Sequence, residues 1–264
     1  MSEHSAVRYE VVERVGVITL DRPEVRNAVN RAMAVALEAA VDALERDPEV
    51  RVGVLCANTG DQERPVFCAG ADLKVVEETG SAAALDTERG GFAGFVFRER
   101  AKPVVAAVDG LATAGGLEIL LAADIVVATT RSAFGLAEVR RNLVAAAGGL
   151  YRLPRAIGRA AAMDAILTGE PIDARRAHEL GLVSRLVEPG EAFAVAMDVA
   201  RAIAAAAPLA VRASRQAVLL ATSEPDDALR VLTRDMLDEL LVTADTAEGL
   251  RAFAEKRSPR WEGR

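Results

Sequence analysis

Short runs rich in valine and isoleucine alternate with amphipathic segments over the first 190 residues. Runs of this length are typical of buried strands, and the spacing of apolar residues between them is typical of helices. The predicted strands are residues 8–20, 50–57, 103–108, 124–128 and 183–187. The predicted helices among them are residues 32–44, 71–78 and 91–100. This alternation predicts an α/β fold in which helices cover the strands.

The pattern becomes mostly helical after residue 173. Asp173 is a predicted N-cap, and Gly181 is predicted to end the helix that it opens. The helices predicted beyond it are residues 192–206, 209–220, 226–241 and 245–255. The sequence EPG at 188–190 is the best candidate boundary. We therefore expect a mixed α/β core over residues 1–190 and a helical C-terminal region over residues 191–264.

Charge and composition exclude several classes of protein. A formal net charge of −7 argues against a nucleic-acid-binding surface. The two cysteines, Cys56 and Cys68, and the two histidines offer no disulfide framework, no metal site and little for a histidine-based mechanism. The start, MSEHSAVRYE, lacks a basic region followed by an apolar one, and no apolar run reaches membrane-spanning length. We expect a cytoplasmic protein that does not bind membranes.

Two segments share the order strand, glycine turn, helix: VFCAGADL (66–73) and VDGLATAGGLEIL (108–120). Each places free backbone N–H groups at a helix start, where developing negative charge is bound well. If the turns converge, two donors point at one oxygen and form an oxyanion hole. Glu118 follows the second turn by about one helical turn, and Glu138 lies in FGLAEVR (134–140). Two carboxylates near such a site suit proton transfer on a carbonyl compound.

Each of these features also has an ordinary interpretation. A Gly-Gly pair is most often only a turn, and Glu118 could be a solvated helix residue. Glu138 could form a surface pair with Arg140 or Arg141. Asp72 could be a simple first-turn acid of a helix. The pattern alone therefore indicates an oxyanion-type site and names no substrate.

Five motifs, in this order and spacing, resemble those of the crotonase, or enoyl-CoA hydratase/isomerase, superfamily. They are ITLDRPEVRNAVN (18–30), VFCAGADLK (66–74), KPVVAAVDGLATAGGLEILLAADIVVAT (102–129), ILTGEPIDARRAHELGLVSRLV (166–187) and EGLRAFAEKRSPRW (248–261). The resemblance covers essentially the full length. It implies a spiral of ββα repeats, followed by helices that cover the active site and form a homo-trimer or a homo-hexamer built as a dimer of trimers.

The resemblance also implies the chemistry and the site residues. The substrates would be acyl-CoA thioesters, with no cofactor because coenzyme A is part of the substrate. The N–H groups of Ala69 and Gly115 would hold the thioester oxygen, and Glu118 and Glu138 would hold the water that adds to a trans-2-enoyl-CoA. The residues expected to bind coenzyme A and substrate are Val25, Arg26, Ala28, Ala69, Gly70, Ala71, Asp72, Leu73, Gly115, Gly116, Phe253 and Lys256. Phe253 and Lys256 would often act on a neighbouring subunit's site.

The chain departs from the family pattern at several positions. Ala114 replaces the first of three glycines, and Asn142 and Ala145 replace a glycine and a proline after the second glutamate. Leu136 and Ala137 stand where a glutamine-proline pair is common. Two alternatives to the hydratase therefore stay open. One is an enoyl-CoA isomerase or another crotonase-type reaction, and the other is a non-catalytic acyl-CoA-binding protein.

Overall fold

The computed structural model of the protein describes residues 5–264. Residues 1–4, which belong to the segment used above to judge a signal peptide, lie outside the described residues. The strands are β1 (Val7–Val12), β2 (Val15–Leu20), β3 (Val52–Ala57), β4 (Val66–Cys68), β5 (Asp86–Thr87), β6 (Gly91–Phe92), β7 (Val104–Val108), β8 (Leu111–Thr113), β9 (Ile125–Thr129), β10 (Ala133–Gly135), β11 (Ile172–Asp173) and β12 (Arg185–Val187). The helices are α1 (Arg31–Arg46), α2 (Leu73–Thr79), α3 (Gly115–Leu120), α4 (Gly149–Ile157), α5 (Arg159–Thr168), α6 (Ala174–Glu179), α7 (Ala192–Ala205), α8 (Pro208–Leu220), α9 (Asp226–Leu241) and α10 (Ala244–Glu255).

Two sheets organise the core. One has the strand order β1-β2-β3-β7-β9-β12, and the other has the order β11-β10-β8-β4. Apart from the β1–β2 and β10–β11 pairs, the neighbours in these two sheets run parallel. The chain passes from β3 to β4, from β7 to β8 and from β9 to β10, so each pass adds one strand to each sheet before a helix follows. The predicted spiral of ββα repeats is therefore confirmed.

Helices cover the larger sheet on both faces. The apolar side of α1 is fully buried at Met33, Leu37 and Leu44, and its first turn is capped by the Asn30 side chain, which accepts a hydrogen bond from the Met33 amide at 2.9 Å. The opposite face packs against α7, whose contact surface consists mainly of alanines. Small side chains let this helix approach the valine-rich sheet closely, so α7 belongs to the packed core although it follows the EPG segment.

The local signals located most helices correctly. The helix predicted over residues 226–241 matches α9, and Asp173 caps α6 by accepting a hydrogen bond from the Arg176 amide at 2.9 Å. Gly181 has the left-handed conformation, with φ of 90°, just beyond the end of α6. Helices α4 and α5 were not predicted, and α4 contains Pro154.

Two predicted elements are wrong. Residues 8–20 form a hairpin of two strands, because the chain turns at Glu13 with φ of 58°. Residues 91–100 do not form a helix but a short strand followed by turns. Gly91, Ala93 and Gly94 have φ values of 61°, 59° and 67°, which a right-handed helix does not allow. The glycine at 94 is needed because a Cβ there would lie 2.3 Å from the Ala34 carbonyl oxygen of α1.

Helix α3 lies unusually close to strand β4. A Cβ built on Gly116 would be 2.2 Å from the carbonyl oxygen of Cys68, so only glycine permits this approach. The contact sets the position of the whole short helix relative to the end of β4. It therefore also sets the position of Glu118, two residues later.

We predict that Gly116→Ala destabilises the protein although alanine is the better helix former. The gain in helix propensity is about 1 kcal/mol, whereas overpacking against a backbone carbonyl costs up to ~3 kcal/mol. Urea unfolding of the purified variant measures the difference. Gly135→Ala is the matched control, since its new methyl would lie 3.3 Å from Pro171 and meet much weaker resistance. A Gly116→Ala variant that is more stable than the wild type would contradict this account.

Candidate active site

The two glycine turns identified in the sequence are neighbours in space. Strands β4 and β8 pair in parallel, with Cys68 opposite Ala112, so the turns that follow them leave the same edge of the sheet. A Cβ on Gly70 would lie 2.7 Å from the amide nitrogen of Gly115. A Cβ on Gly115 would lie 3.4 Å from Cα of Gly70. The turns are thus in direct contact, as the oxyanion-hole hypothesis requires.

The first donor differs from the one expected. The amide of Ala69 donates a hydrogen bond to the Arg26 carbonyl at 3.0 Å, so it has no free hydrogen for a ligand. Two residues on, Ala71 lies opposite Val29 in an isolated parallel bridge. The hydrogen bonds of this bridge use the neighbours of Ala71: the Val29 amide donates to the Gly70 carbonyl at 2.7 Å, and the Asp72 amide donates to the Val29 carbonyl at 2.9 Å. The amide of Ala71 has no acceptor among residues 5–264. The assignment of Ala69 as the first donor is therefore corrected to Ala71.

The second donor lies at the first residue of α3. No hydrogen bond of the Gly115 amide to another described residue is present, as is usual for the first turn of a helix. The preceding residue, Ala114, has φ of 51° and ψ of −129°, a conformation that glycine adopts far more easily. A Cβ on Gly115 would be 2.5 Å from the Phe92 ring. The glycine therefore leaves room for this ring, which forms one wall beside the amide.

Glu118 is a buried carboxylate and not a solvated helix residue. Its exposed fraction is 4%, and it accepts a hydrogen bond at 2.9 Å from the Gly149 amide at the start of α4. Burial raises the pKa of Glu118 to about 7, although the amide of Gly149 acts in the opposite direction. The negative charge of Glu138 raises this pKa further, which places the two carboxylates within electrostatic reach.

Glu138 is half-buried, with one carboxylate oxygen shielded from solvent. It begins a single 3-10 turn, Glu138–Arg141, and its Oε2 is buried without a hydrogen-bond partner in the described part of the chain. Burial raises its pKa, and the charge of Arg141 partly opposes this effect. The alternative of a surface pair with Arg140 is wrong, because that guanidinium binds Glu170 and the Thr168 carbonyl.

The segment expected to bind coenzyme A borders the first turn. The carbonyl of Arg26 is the acceptor for Ala69, and Arg26 itself has the left-handed conformation with φ of 56°. Arg22 joins the two segments, since it donates to the Ala28 carbonyl and lies 3.5 Å from a carboxylate oxygen of Asp72. The apolar side chains Val25 and Leu73 are exposed by 37% and 48%. They provide an accessible apolar border beside the free amides.

Phe253 and Lys256 are not brought to this site within the described chain. Phe253 is 87% exposed on α10, and Lys256 ends that helix in the left-handed conformation. The C-terminal tail instead packs on α7, where the Trp261 indole donates to the Ala205 carbonyl at 2.8 Å. These two positions therefore stay predictions.

Residues 5–264 contain no cluster of three or more histidine, cysteine, aspartate or glutamate side chains arranged to hold a metal ion. Within the same residues, no helix by itself has the length and apolar character to cross a bilayer. Helices α7 and α8 reach that length and composition only as a pair, which is bent by 112°.

Comparison with known proteins identifies the family. Residues 10–264 match the family model described as enoyl-CoA hydratase/isomerase. The (E)-benzylidenesuccinyl-CoA hydratase of Thauera aromatica is 38% identical over 257 residues, which cover 97% of this chain and 99% of that protein. A carnitinyl-CoA dehydratase of Salmonella typhi is 38% identical over 253 residues, or 94% of each chain.

The fold agrees with that of a solved relative. The crystal structure of an enoyl-CoA hydratase from Mycobacterium tuberculosis H37Rv superposes with a TM-score of 0.92 at 42% sequence identity, covering 99% of this chain and 100% of that one. The chain therefore belongs to the enoyl-CoA hydratase/isomerase family of the crotonase superfamily and is an enzyme of the enoyl-CoA hydratase type.

Proposed function

We propose that this enzyme adds water across the 2,3 double bond of trans-2-enoyl-CoA thioesters, with Ala71 and Gly115 as the oxyanion hole and Glu118 and Glu138 as the proton-transferring pair. One observation carries the proposal. Two backbone amides without acceptors in residues 5–264 come from turns in direct contact, and one of them begins the short helix α3, which carries a buried carboxylate with a pKa of about 7.

The two amides stabilise the charge that develops on the thioester oxygen. When the water oxygen bonds to C3, the π electrons of the C2–C3 bond move towards the carbonyl and give an enolate-like oxygen. Donors that are already in place need no reorganisation at this moment, and losing one such donor typically lowers the rate by about 10²–10³. The amides of Ala71 and Gly115 fit this task because no protein acceptor competes for them within the described residues.

The two glutamates move the protons. A pKa of about 7 makes the Glu118 carboxylate a base matched to neutral pH, and the Gly149 amide fixes its orientation. Glu118 takes one proton from water as the O–H bond breaks and the oxygen bonds to C3. Glu138, whose pKa is also raised by burial, is proposed to carry the second proton and gives it to C2 as the enolate collapses. The two groups then exchange protons through the next water.

The coenzyme A moiety is proposed to lie along Val25, Arg26 and Ala28 and along residues 69–73. Its adenine end would meet Phe253 and Lys256 of a neighbouring subunit in a homo-trimer or homo-hexamer. Helix α9 supports such an assembly, since none of its residues is buried in the single chain and Val231, Leu237 and Leu241 are largely exposed.

The proposal includes a cytoplasmic location and a pocket for an apolar acyl group. The free thiols Cys56 and Cys68 support a reducing compartment.

The side chains of Phe92, Leu143 and Val144 support the apolar pocket, since they lie on the segments next to the second turn and the second glutamate. Fatty-acid breakdown is one pathway that this substrate class serves.

We expect Glu118→Gln and Glu138→Gln each to lower kcat for hydration of crotonyl-CoA by roughly 10²–10⁴, the usual contribution of a positioned acid or base. The isosteric amide keeps the shape and removes the titrating group. The assay follows the loss of ultraviolet absorbance of the conjugated thioester. Glu77→Gln, an exposed acid of α2, is the control. Normal hydration by Glu138→Gln would contradict the assignment of Glu138 to the proton-transferring pair, and no hydration by the wild type would favour the isomerase alternative.

Replacing Ala71 by proline tests the corrected oxyanion hole. The substitution deletes the free N–H but leaves both hydrogen bonds to Val29 intact, so the variant should fold and lose about 10²–10³ in kcat. Ala69→Pro deletes the hydrogen bond to Arg26 and should instead lower the melting temperature. Full activity in a folded Ala71→Pro variant would rule out the Ala71 amide as the donor.

The pH dependence follows from the pKa of Glu118. The base must be deprotonated, so kcat/KM should fall about tenfold per pH unit below roughly pH 7. The residual activity of Glu118→Gln should lack this acidic limb, because its amide does not titrate. A wild-type profile that is flat between about pH 5.5 and 8 would show that Glu118 is not the base.

A further inference from the structure

A cavity of about 730 Å³ lies at the opposite end of α3 from the two free amides. Its walls come from residues 96–101, from the C-terminal end of α3 and from α4 and α8. Five arginines line it: Arg98, Arg100, Arg152, Arg212 and Arg215. The only carboxylate among its lining residues is Glu99. We call this cavity the arginine pocket; its charge contrasts with the overall charge of −7.

Among residues 5–264, two of these arginines are paired with carboxylates. Arg215 lies 2.8 Å from Asp124, and Arg98 lies 2.9 Å from Asp42. The other three, Arg100, Arg152 and Arg212, have no ion-pair partner in residues 5–264. The arginine pocket therefore keeps an excess of positive charge.

The guanidinium groups of Arg100 and Arg152 are held in place, and each keeps at least one nitrogen without an acceptor in the described chain. Arg100 lies 4.3 Å over the Phe95 ring and donates at 2.5 Å to the Ala122 carbonyl. Its Nε and Nη1 are shielded from solvent and have no acceptor in the described chain. Arg152 donates to the Val96 carbonyl at 2.9 Å, and its Nη1 is likewise buried without an acceptor.

Arginine side chains are not deprotonated in proteins near neutral pH, so the pocket is positively charged. Burial lowers the pKa of Arg100 to about 10, and burial also lowers the pKa of Arg152. Buried charged donors without acceptors are destabilising, and a bound anion would offset part of this cost by attracting their charge. Fixed, planar guanidinium groups match the oxygens of a carboxylate or a phosphate.

The arginine pocket adjoins the active site through the first turn of α4. Arg152 follows Gly149, whose amide binds Glu118, by three residues, and its charge lowers the pKa of Glu118. Nη1 of Arg152 lies 3.1 Å from the position of a Cβ on Gly148. A group bound at Arg152 is therefore one helical turn from the catalytic carboxylate.

We propose that the arginine pocket is a second binding site of this enzyme, which takes an oxyanion, a carboxylate or a phosphate group, between the guanidinium groups of Arg100, Arg152 and Arg212. The oxyanion has two possible sources. It is either a free anion or the distal carboxylate of the acyl group, and the second source rests on the proposed function.

Titration calorimetry with inorganic pyrophosphate and with glutarate tests the site without any catalysis. We expect saturable binding of one anion per chain, weakened at least tenfold in Arg100→Met. Arg159→Met is the matched control, because Arg159 is exposed on α5 and has no ion-pair partner among the described residues. An equal loss in both variants would overturn the proposal.

Thermal unfolding separates a binding role from a structural one. In anion-free buffer, Arg100→Met should melt at or above the wild-type temperature, because it removes the two buried donors without acceptors. Pyrophosphate should raise the melting temperature of the wild type and leave that of Arg100→Met unchanged. The proposal would be overturned if Arg100→Met melted at a lower temperature than the wild type and pyrophosphate still raised its melting temperature as much as that of the wild type.

Substrate kinetics distinguish the two sources. If the distal carboxylate is the ligand, the wild type should have at least a tenfold lower KM for a trans-2-enoyl-CoA ending in a carboxylate than for a neutral one of similar length. Arg100→Met should lose this preference and Arg159→Met should keep it. Calorimetric binding without this preference assigns the pocket to a free anion.

The proposal also has outcomes that overturn it outright. One is a wild type that binds neither anion and shows no preference for substrates with a distal carboxylate. Light scattering adds another: if Arg100→Met breaks up the assembly and the wild type binds neither anion, the acceptor is a carboxylate of a second copy. A wild type that hydrates no substrate but still binds pyrophosphate would contradict the proposed function alone.

Discussion

The contact between the two glycine turns is the constraint on which the site depends. A Cβ at Gly70 would come within 2.7 Å of the Gly115 amide, and one at Gly116 would come within 2.2 Å of the Cys68 carbonyl. Backbone therefore meets backbone where side chains normally separate elements. Parallel pairing of β4 with β8 brings both turns to one edge, and the glycines then let α3 dock against the end of β4. The amides of Ala71 and Gly115 remain without acceptors in the described chain beside this contact.

The docking of α3 also decides the electrostatics. Its N-terminal end favours negative charge, yet burial has the larger effect on Glu118 and raises its pKa from 4.5 to about 7. A shift of this size corresponds to roughly 3 kcal/mol between the two protonation states. The amide of Gly149 limits the shift, and the charge of Glu138 adds to it. The carboxylate is thus poised near neutral pH by its surroundings, because Gly149 and Glu138 come from later passes of the chain.

The positions of the candidate residues could be predicted from the sequence, but their burial and their hydrogen-bond partners could not. Glu118, Glu138 and Gly115 stand where motif spacing indicates a site. The spacing could not show that Ala69 gives its N–H to Arg26 while Ala71 keeps its own. The two amides would face the same way in a regular strand, and Gly70 between them, with φ of 85°, breaks that regularity. The arginine pocket gave no sequence signal, because its members come from a loop, from α4 and from α8.

Local chemistry in the sequence determined the alternation of strands and helices, the cap at Asp173 and the bounds of α9. These depend on periodicity and on hydrogen bonds within a few residues. Tertiary structure alone decided that residues 91–100 turn instead of forming a helix, since Gly94 lies against the Ala34 carbonyl of α1. It likewise decided that Glu118 is buried and that the Ala71 amide is free. Burial and hydrogen-bond partners are supplied by segments far away along the chain, and no local pattern contains them.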